Sequence, residues 1–302
     1  MSSIRVNPNP TPDLLEALAQ VQQRVNTATL QLATGSRINH PSDDPAGAAQ
    51  LTQVHARSSQ VDSFQQSTSS IAGRLQTADS TLSSVVTALT RAISLGVQGA
   101  NGTLSDSDRA AVAQEVSGIQ TQLLSLANVS YQGQFVFSGT AVVQPFAADP
   151  TDPSGVRYDG NAGVNSVAIG NNYQLQVNLP GSQVFNGTGA SGPGASVFQA
   201  INDLIVSLQT NSAIDTAVVG VRSAFDFVTT QRVFYGNALN QIDAQQTFLS
   251  SEKLNLSTQE NAVAGADPTA VASQLVKAQT SQNATLAAMG RIPQVSLFDY
   301  LK

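Results

Sequence analysis

Apolar side chains recur at helical spacing close to the start of the chain. From Leu14 onward they are separated by 4, 3, 4, 3 and 4 residues, which predicts an amphipathic helix with one narrow apolar stripe. Pro12 fits the first turn of this helix, and Gly35 fits its end because glycine readily adopts a left-handed conformation. The stripe consists of Leu14, Leu18, Val21, Val25, Ala28 and Leu32.

A second and longer stripe follows Pro45. No proline interrupts residues 46–96, so the pattern predicts one helix of about fifty residues. Its apolar face is formed by Val61, Phe64, Thr68, Ile71, Leu75, Ala78, Leu82, Val85, Leu89 and Ala92. We expect Gly96, Gly99 and Gly102 to end it, since glycine disfavours a helix interior. The segment "LSDSD" at 104–108 then supplies the cap and first-turn acids of a third helix.

The pattern changes after this third helix. "YQGQFVFSGT" at 131–140 predicts a short strand with Phe135 and Phe137 on one face, and residues 141–195 are rich in Gly, Pro, Asn and Asp, which is typical of a small β-domain. Helical periodicity returns at 196–208 and again at about 213–256, and Asp267 and Pro268 predict the start of a last helix. The last stripe comprises Val271, Leu275, Ala278, Gln282, Thr285, Met289 and Ile292.

This order of elements predicts a mainly α fold, a long antiparallel helical bundle with terminal coiled-coil helices and a small inserted β-domain. We expect three domains: 1–44 with 267–302, 45–140 with 196–266, and the insert 141–195. The terminal stripes are narrow and place Ala, Gln and Thr at core positions, so neither end can bury its stripe alone. The two ends are therefore expected to pair with each other or with neighbouring subunits; the alternative is a monomeric antiparallel bundle.

Composition narrows the function classes. Only 11% of the 302 residues are charged, the formal net charge is −6, and the three lysines form no basic run, which argues against nucleic-acid binding. The absence of cysteine excludes disulfides and thiolate metal sites. No run of eighteen apolar residues occurs and the start of the chain lacks a signal-peptide pattern, so we expect no membrane span and no cleaved secretory leader.

The segment "LATGSRINHPSDDPAGAA" at 32–49 concentrates charged groups in a chain that has few. His40, Asp43 and Asp44 could ligate a divalent cation or act as acid and base, but no further ligand follows at a regular spacing. A helix elbow accounts for more of these residues, because Pro41 disfavours helix before it, while Asp44 and Pro45 suit the N-cap and the first helical position. We predict an elbow, with no catalytic residue and no metal ligand, formed by Gly35, Arg37, Asn39, Asp43, Asp44 and Pro45.

Other chemically suggestive residues have plain structural interpretations. His55 is expected to be a partly exposed packing residue on the second helix. Residues 187–194 are glycine-rich without a following Lys-Ser/Thr, which favours a loop over a phosphate site. Asp149 and Asp152 lie among prolines, as turn residues do. We therefore predict no enzymatic activity and no cofactor.

The segment 32–49 resembles the N-terminal signature of bacterial flagellins and their junction-protein relatives, in which a helix runs into Gly, Arg-Ile-Asn and an Asp-Asp pair before a long helix. The segment "GADPTAVASQLVKAQTSQNATLAAMGRIPQVSLFDYL" is similar to the family's C-terminal helix and closing segment. Together these similarities cover roughly the first 140 and the last 100 residues. "NVSYQGQFVFSGT", "VNLPGSQVF" and "SLFDYL" resemble the junction members of the family more than flagellin itself.

The resemblance implies a structural protein that is exported unfolded by the flagellar type III apparatus, after a transient cytoplasmic stage, to the extracellular flagellum. It implies a ring of self-associated subunits between a neighbouring hook-associated junction protein and flagellin. The expected seam between the terminal helices, in an inner tube, comprises Leu14, Leu18, Val21, Val25, Leu32, Val271, Leu275, Met289 and Ile292.

The resemblance also implies an export signal within Met1–Leu32 and a cytoplasmic export chaperone that covers Val271–Leu301. The expected chaperone-contacting residues are Leu275, Leu286, Met289 and Leu297. Two alternatives stay open: a minor flagellin of the filament, and an enzyme or carbohydrate-binding module carried by the insert.

Overall fold

A computed structural model describes residues 11–171, 173–189, 192–193 and 196–290 of the chain. The helices in these ranges are α1 (Thr11–Thr34), α2 (Pro45–Gly99), α3 (Asp106–Ala127), α4 (Gly181–Phe185), α5 (Val197–Thr210), α6 (Ile214–Ala264) and α7 (Pro268–Gly290). The strands are β1 (Ser130–Tyr131), β2 (Gln134–Phe135), β3 (Phe146–Ala148), β4 (Val156–Tyr158), β5 (Ser166–Gly170), β6 (Tyr173–Gln176), β7 (Thr188–Gly189) and β8 (Gly192–Pro193). The predicted mainly α fold with a small β region is confirmed.

The helix starts predicted from cap residues are confirmed. Asp44 Oδ1 accepts a hydrogen bond from Gly47 N at 2.9 Å at the start of α2, and Ser105 Oγ accepts one from Asp108 N at 3.2 Å at the start of α3. Asp267 Oδ1 likewise accepts from Thr269 N at 2.8 Å before α7. These side chains satisfy N–H groups that have no partner within the first turn of a helix.

Of the three glycines predicted to end α2, Gly96 does not act as predicted. Gly96 lies inside the helix, and α2 ends at Gly99, one of the predicted residues. The buried face of α2 runs through Leu89, Ala92, Gly96 and Gly99, so the glycines continue that face at helical spacing. A Cβ atom at Gly96 would lie 2.6 Å from Val218 Cγ2, which shows that close packing, and not helix termination, requires glycine there.

The chain divides into two compact units. The first unit contains the described residues up to Gln60 and from Ser251 onward, and the second contains Val61–Ser250. Helices α2 and α6 contribute residues to both. The division into three domains stays a prediction.

The second unit has one continuous hydrophobic core. The predicted stripe of α2 is confirmed within it: Leu75, Leu82, Val85 and Leu89 are fully buried. The apolar faces of α3, α5 and α6 pack into the same cluster.

In its described residues the β region consists of four two-stranded antiparallel hairpins, and Phe137, Phe146 and Phe185 join this core. The ring centroids of Phe146 and Phe185 are 5.3 Å apart, and those of Phe185 and Phe198 are 5.9 Å apart. Asn128, which caps the end of α3, exchanges two hydrogen bonds with the backbone of Phe146 at 2.8 and 2.9 Å. The buried side chains among the described residues of the insert therefore share a core with the long helices.

The strand predicted at 131–140 is shorter than expected. Gln132 and Gly133 have φ values of 50° and 78° and form a two-residue turn between β1 and β2. Positive φ at both positions matches the right-handed twist of a hairpin. Phe137 lies beyond β2 and is fully buried. The short helix α4 was not predicted, because five residues give no readable period.

Helix α2 is long and apolar enough to cross a membrane by length and composition alone. Core helices of soluble proteins meet the same criterion, and 44% of the relevant segment is buried inside the structure. The buried face of α2 is occupied by the core of the second unit. The expectation of no membrane span stays a prediction.

Candidate assembly site

Helices α1 and α7 pack against each other along the predicted stripes. In the described parts of this pair, the buried apolar side chains are Val21, Ala28, Val271 and Ala278. The remaining described stripe residues, apart from Leu32, are only half-buried: Leu14, Leu18, Val25, Leu275, Gln282, Thr285 and Met289. Two of the four buried side chains are alanines, so the α1–α7 contact buries little apolar surface for two helices of 24 and 23 residues.

Leu32 departs from the predicted stripe, since 45% of it is exposed. Gln31 is half-buried at this level of α1, and its Nε2 donates to Arg37 O at 3.1 Å. An α-helix has 3.6 residues per turn, so a strict heptad stripe drifts around a straight helix and its last member leaves the contact.

Several apolar side chains of the pair face outward. Of the predicted chaperone-contacting residues, Leu286 is exposed, while Leu275 and Met289 are half-buried. Ile292 and Leu297 lie outside the described residues. The exposed apolar side chains of the pair are Leu15, Leu30, Leu32, Val276 and Leu286. Such positions are available to a further helix, from another copy or from a partner.

A polar groove of about 610 Å³ runs along one side of the pair. It is lined mainly by amides and hydroxyls, with one cation from each helix, Arg24 and Lys277. The amides of Gln22 and Gln282 also join the helices, at 2.5 Å between Nε2 of Gln282 and Oε1 of Gln22. The α1–α7 contact therefore combines a thin apolar seam with neutral polar contacts.

The predicted elbow residues lie in the first connector, which we define as residues 35–44 between α1 and α2, and at Pro45, where α2 begins. Gly35 ends α1 with a φ of +69°, and Asn39 Oδ1 accepts a hydrogen bond from Thr34 Oγ1 at 2.9 Å. Asp43 Oδ2 accepts hydrogen bonds from the backbone N–H groups of His40 and Asn39 at 2.8 and 3.0 Å. These N–H groups hold the pKa of Asp43 below its usual value. Asp43 thus closes the turn of the connector.

The second connector, residues 265–267 between α6 and α7, pairs with the first. Arg37 N donates to Ala264 O at 2.6 Å, Ala266 N donates to Gly35 O at 2.9 Å, and Ser36 and Gly265 form an antiparallel bridge. A small apolar cluster formed by Ile38, Leu51 and Ala264 lies beside this pairing. The pairing of the two connectors was not predicted from the sequence. Both connectors do share one pattern, a glycine after a helix and then Asp-Pro at the start of the next helix.

The residues considered for chemistry take structural roles. His40 is exposed, and His55 Nε2 lies 2.9 Å from Glu260 Oε1. Asp149 and Asp152 each accept a hydrogen bond from the backbone N–H two residues later, as predicted for turn residues. In the part of the chain that the structure describes, no group of three or more His, Asp or Glu side chains could hold a metal ion.

Comparisons with known proteins agree with this architecture. Two family models match, the bacterial flagellin N-terminal helical region at residues 9–142 and the bacterial flagellin C-terminal helical region at residues 218–301. Together they cover more than half of the chain. The chain belongs to the bacterial flagellin family.

Its relatives include the hook-associated members of the family. The flagellar hook-associated protein 3 of Escherichia coli K12 is 27% identical over 297 residues, 90% of this chain and 91% of that protein. The protein of the same name in Salmonella typhimurium is 27% identical over 89% of this chain and 90% of its own length. The fold matches a putative flagellar hook-associated protein from Vibrio parahaemolyticus with a TM-score of 0.66 and 21% identity, over 74% of this chain and all of that one. The chain is thus a structural protein of the flagellar junction type.

Proposed function

We propose that the chain is a subunit of the hook–filament junction that self-associates into a ring through its terminal helices. In this arrangement it lies between a neighbouring hook-associated junction protein and flagellin, outside the cell. The observation that carries the proposal is the thin α1–α7 seam, flanked by exposed apolar side chains on both helices. Copies that surround such a pair would bury those side chains, and each would stabilise the next.

The weak packing of α1 against α7 also supports export of the chain. A helix pair with little buried apolar area separates at low free-energy cost, which suits export of an unfolded chain through the flagellar type III apparatus. While the chain is in the cytoplasm, an export chaperone would cover the apolar face of α7 at Leu275, Leu286 and Met289, and Leu297 beyond the described residues. Co-purification of the chain with its export chaperone tests this contact. The chaperone should capture less of the Leu286→Asp variant than of the unmodified chain.

The decisive test places charge in the seam. Leu18→Asp with Val25→Asp introduces two carboxylates on the half-buried face of α1. A matched control, Ala19→Asp with Asn26→Asp, adds the same charges at the same spacing of seven residues on exposed positions. We expect the seam variant to lose attached filaments and motility in cells, and the control variant to retain both.

Thermal unfolding followed by circular dichroism should show that the second unit is unchanged in both double variants, because its core contains neither position. Filaments on cells that carry the seam variant, or equal loss of filaments in the control, would refute assembly through this seam.

A deletion strain separates the junction role from a minor flagellin. Without a junction subunit, hooks remain and flagellin is released into the medium. Without a minor flagellin, filaments still form.

The alternative function, an enzyme or carbohydrate-binding module carried by the insert, needs a test that leaves the core of the second unit intact. Phe146, Ile169 and Phe185 of the insert are fully buried in the core of the second unit, so deleting residues 142–194 would disrupt that unit. Val142 is 86% exposed and Val164 is 52% exposed, so Val142→Ser with Val164→Ser changes only the surface. Normal assembly with loss of a bound sugar or of a catalysed reaction would favour the module.

A further inference from the structure

Arg37, in the first unit, contacts the ends of two long helices. Its Nη2 donates to Asp44 Oδ2 at 3.1 Å and to the backbone oxygen of Val263 at 2.8 Å. Asp44 is the N-cap of α2, and its other carboxylate oxygen accepts the hydrogen bond from Gly47 N. Val263 is in the last turn of α6, where backbone oxygens lack partners within the helix. One guanidinium therefore joins the start of α2 to the end of α6.

The charges suit both helix ends. A cation is favourable near the C-terminus of a helix, and a carboxylate is favourable near an N-terminus, because of the partial charges on unpaired backbone groups. Arg37 supplies the cation to α6 and pairs with the carboxylate at α2. The hydrogen bonds from Gly47 N and from Arg37 also hold the pKa of Asp44 below its usual value, so this partner stays ionised.

The backbone of the same residue ties the two connectors. Arg37 N and Ala266 N donate across the Ser36–Gly265 bridge in opposite directions. Moving the first connector and α1 away from α6 would break the bond from Ala266 to Gly35 and the bonds from Arg37 to Ala264 and Val263. Moving the second connector and α7 away would break the bond from Ala266 to Gly35, because Val263 and Ala264 belong to α6.

We propose that Arg37 is a clasp that holds the first connector, and with it α1, on the ends of α2 and α6, and that the second connector and α7 are secured in turn through their bond to this connector. Arg37 is thus a positioning residue for both chain ends. The proposal concerns the monomer and does not depend on ring formation, so it can fail or hold independently of the proposed function.

Joining the two helix ends requires a side chain with several hydrogen-bond donors in a fixed arrangement. Arginine carries several N–H groups in a fixed planar arrangement, whereas lysine carries a compact ammonium on a flexible stem. Arg37→Lys keeps the charge and should restore only part of the clasp. Arg37→Gln removes the charge while keeping a polar side chain.

Hydrogen exchange on the full-length monomer, read by mass spectrometry, tests the clasp. In Arg37→Gln we expect protection of the second connector to fall at least about tenfold, although the substituted position is distant from that connector in sequence. Protection of α1 and of α7 should both fall, and the core of the second unit should be unchanged. Arg57→Gln, at an exposed arginine of α2 in the same unit, is the matched control and should change none of these regions.

Four results would overturn the proposal. The first is unchanged protection of the second connector in Arg37→Gln. The second is unchanged protection of α1, which the clasp holds directly, or of α7, which it secures through the second connector. The third is full rescue by Arg37→Lys, which would show that charge alone is needed. Exchange of the amides of Arg37 and Ala266 at unprotected rates in the unmodified chain would likewise refute it.

Discussion

Gly96 provides a sharp test of how α2 packs in the second unit. In Gly96→Ala, the new methyl group would lie 2.6 Å from Val218 Cγ2 and 3.1 Å from Leu204 Cδ1. The first distance is well inside van der Waals contact, and valine in a helix has little freedom to turn away. Overpacking of this kind costs about 1–3 kcal/mol. Alanine also gains about 1 kcal/mol over glycine in a helix interior. We expect a net loss of about 0–2 kcal/mol.

Gly118 in α3 supplies the matched control. A Cβ atom there would have no heavy atom within 4 Å, so Gly118→Ala should show only the gain of about 1 kcal/mol in helix stability. The two variants carry the same chemical change in helices of the same unit, and they are expected to differ by the packing cost of about 1–3 kcal/mol.

Urea unfolding followed by far-ultraviolet circular dichroism measures this difference through the midpoints, provided that the slopes stay equal. Stabilisation of Gly96→Ala to the same degree as Gly118→Ala would show that α2 is free to accept a methyl group. The close approach of α2 to Val218 and Leu204 would then be wrong.

Two expectations follow from ionisable groups. Burial raises the pKa of Tyr235, so this tyrosine ionises near pH 10 in the unfolded chain but stays neutral there in the folded chain. The free energy of unfolding should therefore fall as the pH rises past 10. In urea midpoints measured from about pH 8 to 11, Tyr235→Phe should remove part of this fall. The backbone N–H of His40 lowers the pKa of Asp43, and the backbone N–H of Gly47 lowers the pKa of Asp44. The two carboxylates therefore contribute to folded stability above the unfolded pKa of 3.8, and this contribution is lost as the pH falls through their lower folded pKa values. Amide protection in the first connector should therefore decrease below about pH 4, and constant protection down to about pH 2.5 would contradict this assignment.

The helices and their buried faces could be predicted from the sequence because both depend on local residue patterns. Spacing of three and four residues identifies the side of α2 that is buried, from Val61 to Ala92, without knowledge of what covers it. The starts of α2 and α7 were readable for the same reason, since Asp44 and Asp267 cap helices whose first residue is a proline. These features depend on residues within one or two turns.

Part of the candidate site was also readable. The α1 and α7 stripes were predicted from spacing, the two helices pack against each other, and every described stripe residue except Leu32 is buried or half-buried. The role of these residues in assembly stays a prediction. The pairing of the two connectors was not predicted. Their shared pattern, a glycine after a helix and Asp-Pro at the next helix start, marks where helices end and begin, whereas backbone hydrogen bonds between connectors carry almost no residue preference.

The sequence by itself determined the order of the helices other than α4, the faces that are buried, the cap residues and membership of the flagellin family. Only the tertiary structure decided that Gly96 and Gly99 serve packing, that buried side chains of the described insert share the core of the second unit, and that Arg37 reaches Val263 at the far end of another helix. The physical reason is the range of the interactions. Periodicity reports that a surface is covered, whereas the identity of the covering group depends on residues that lie far apart in the chain.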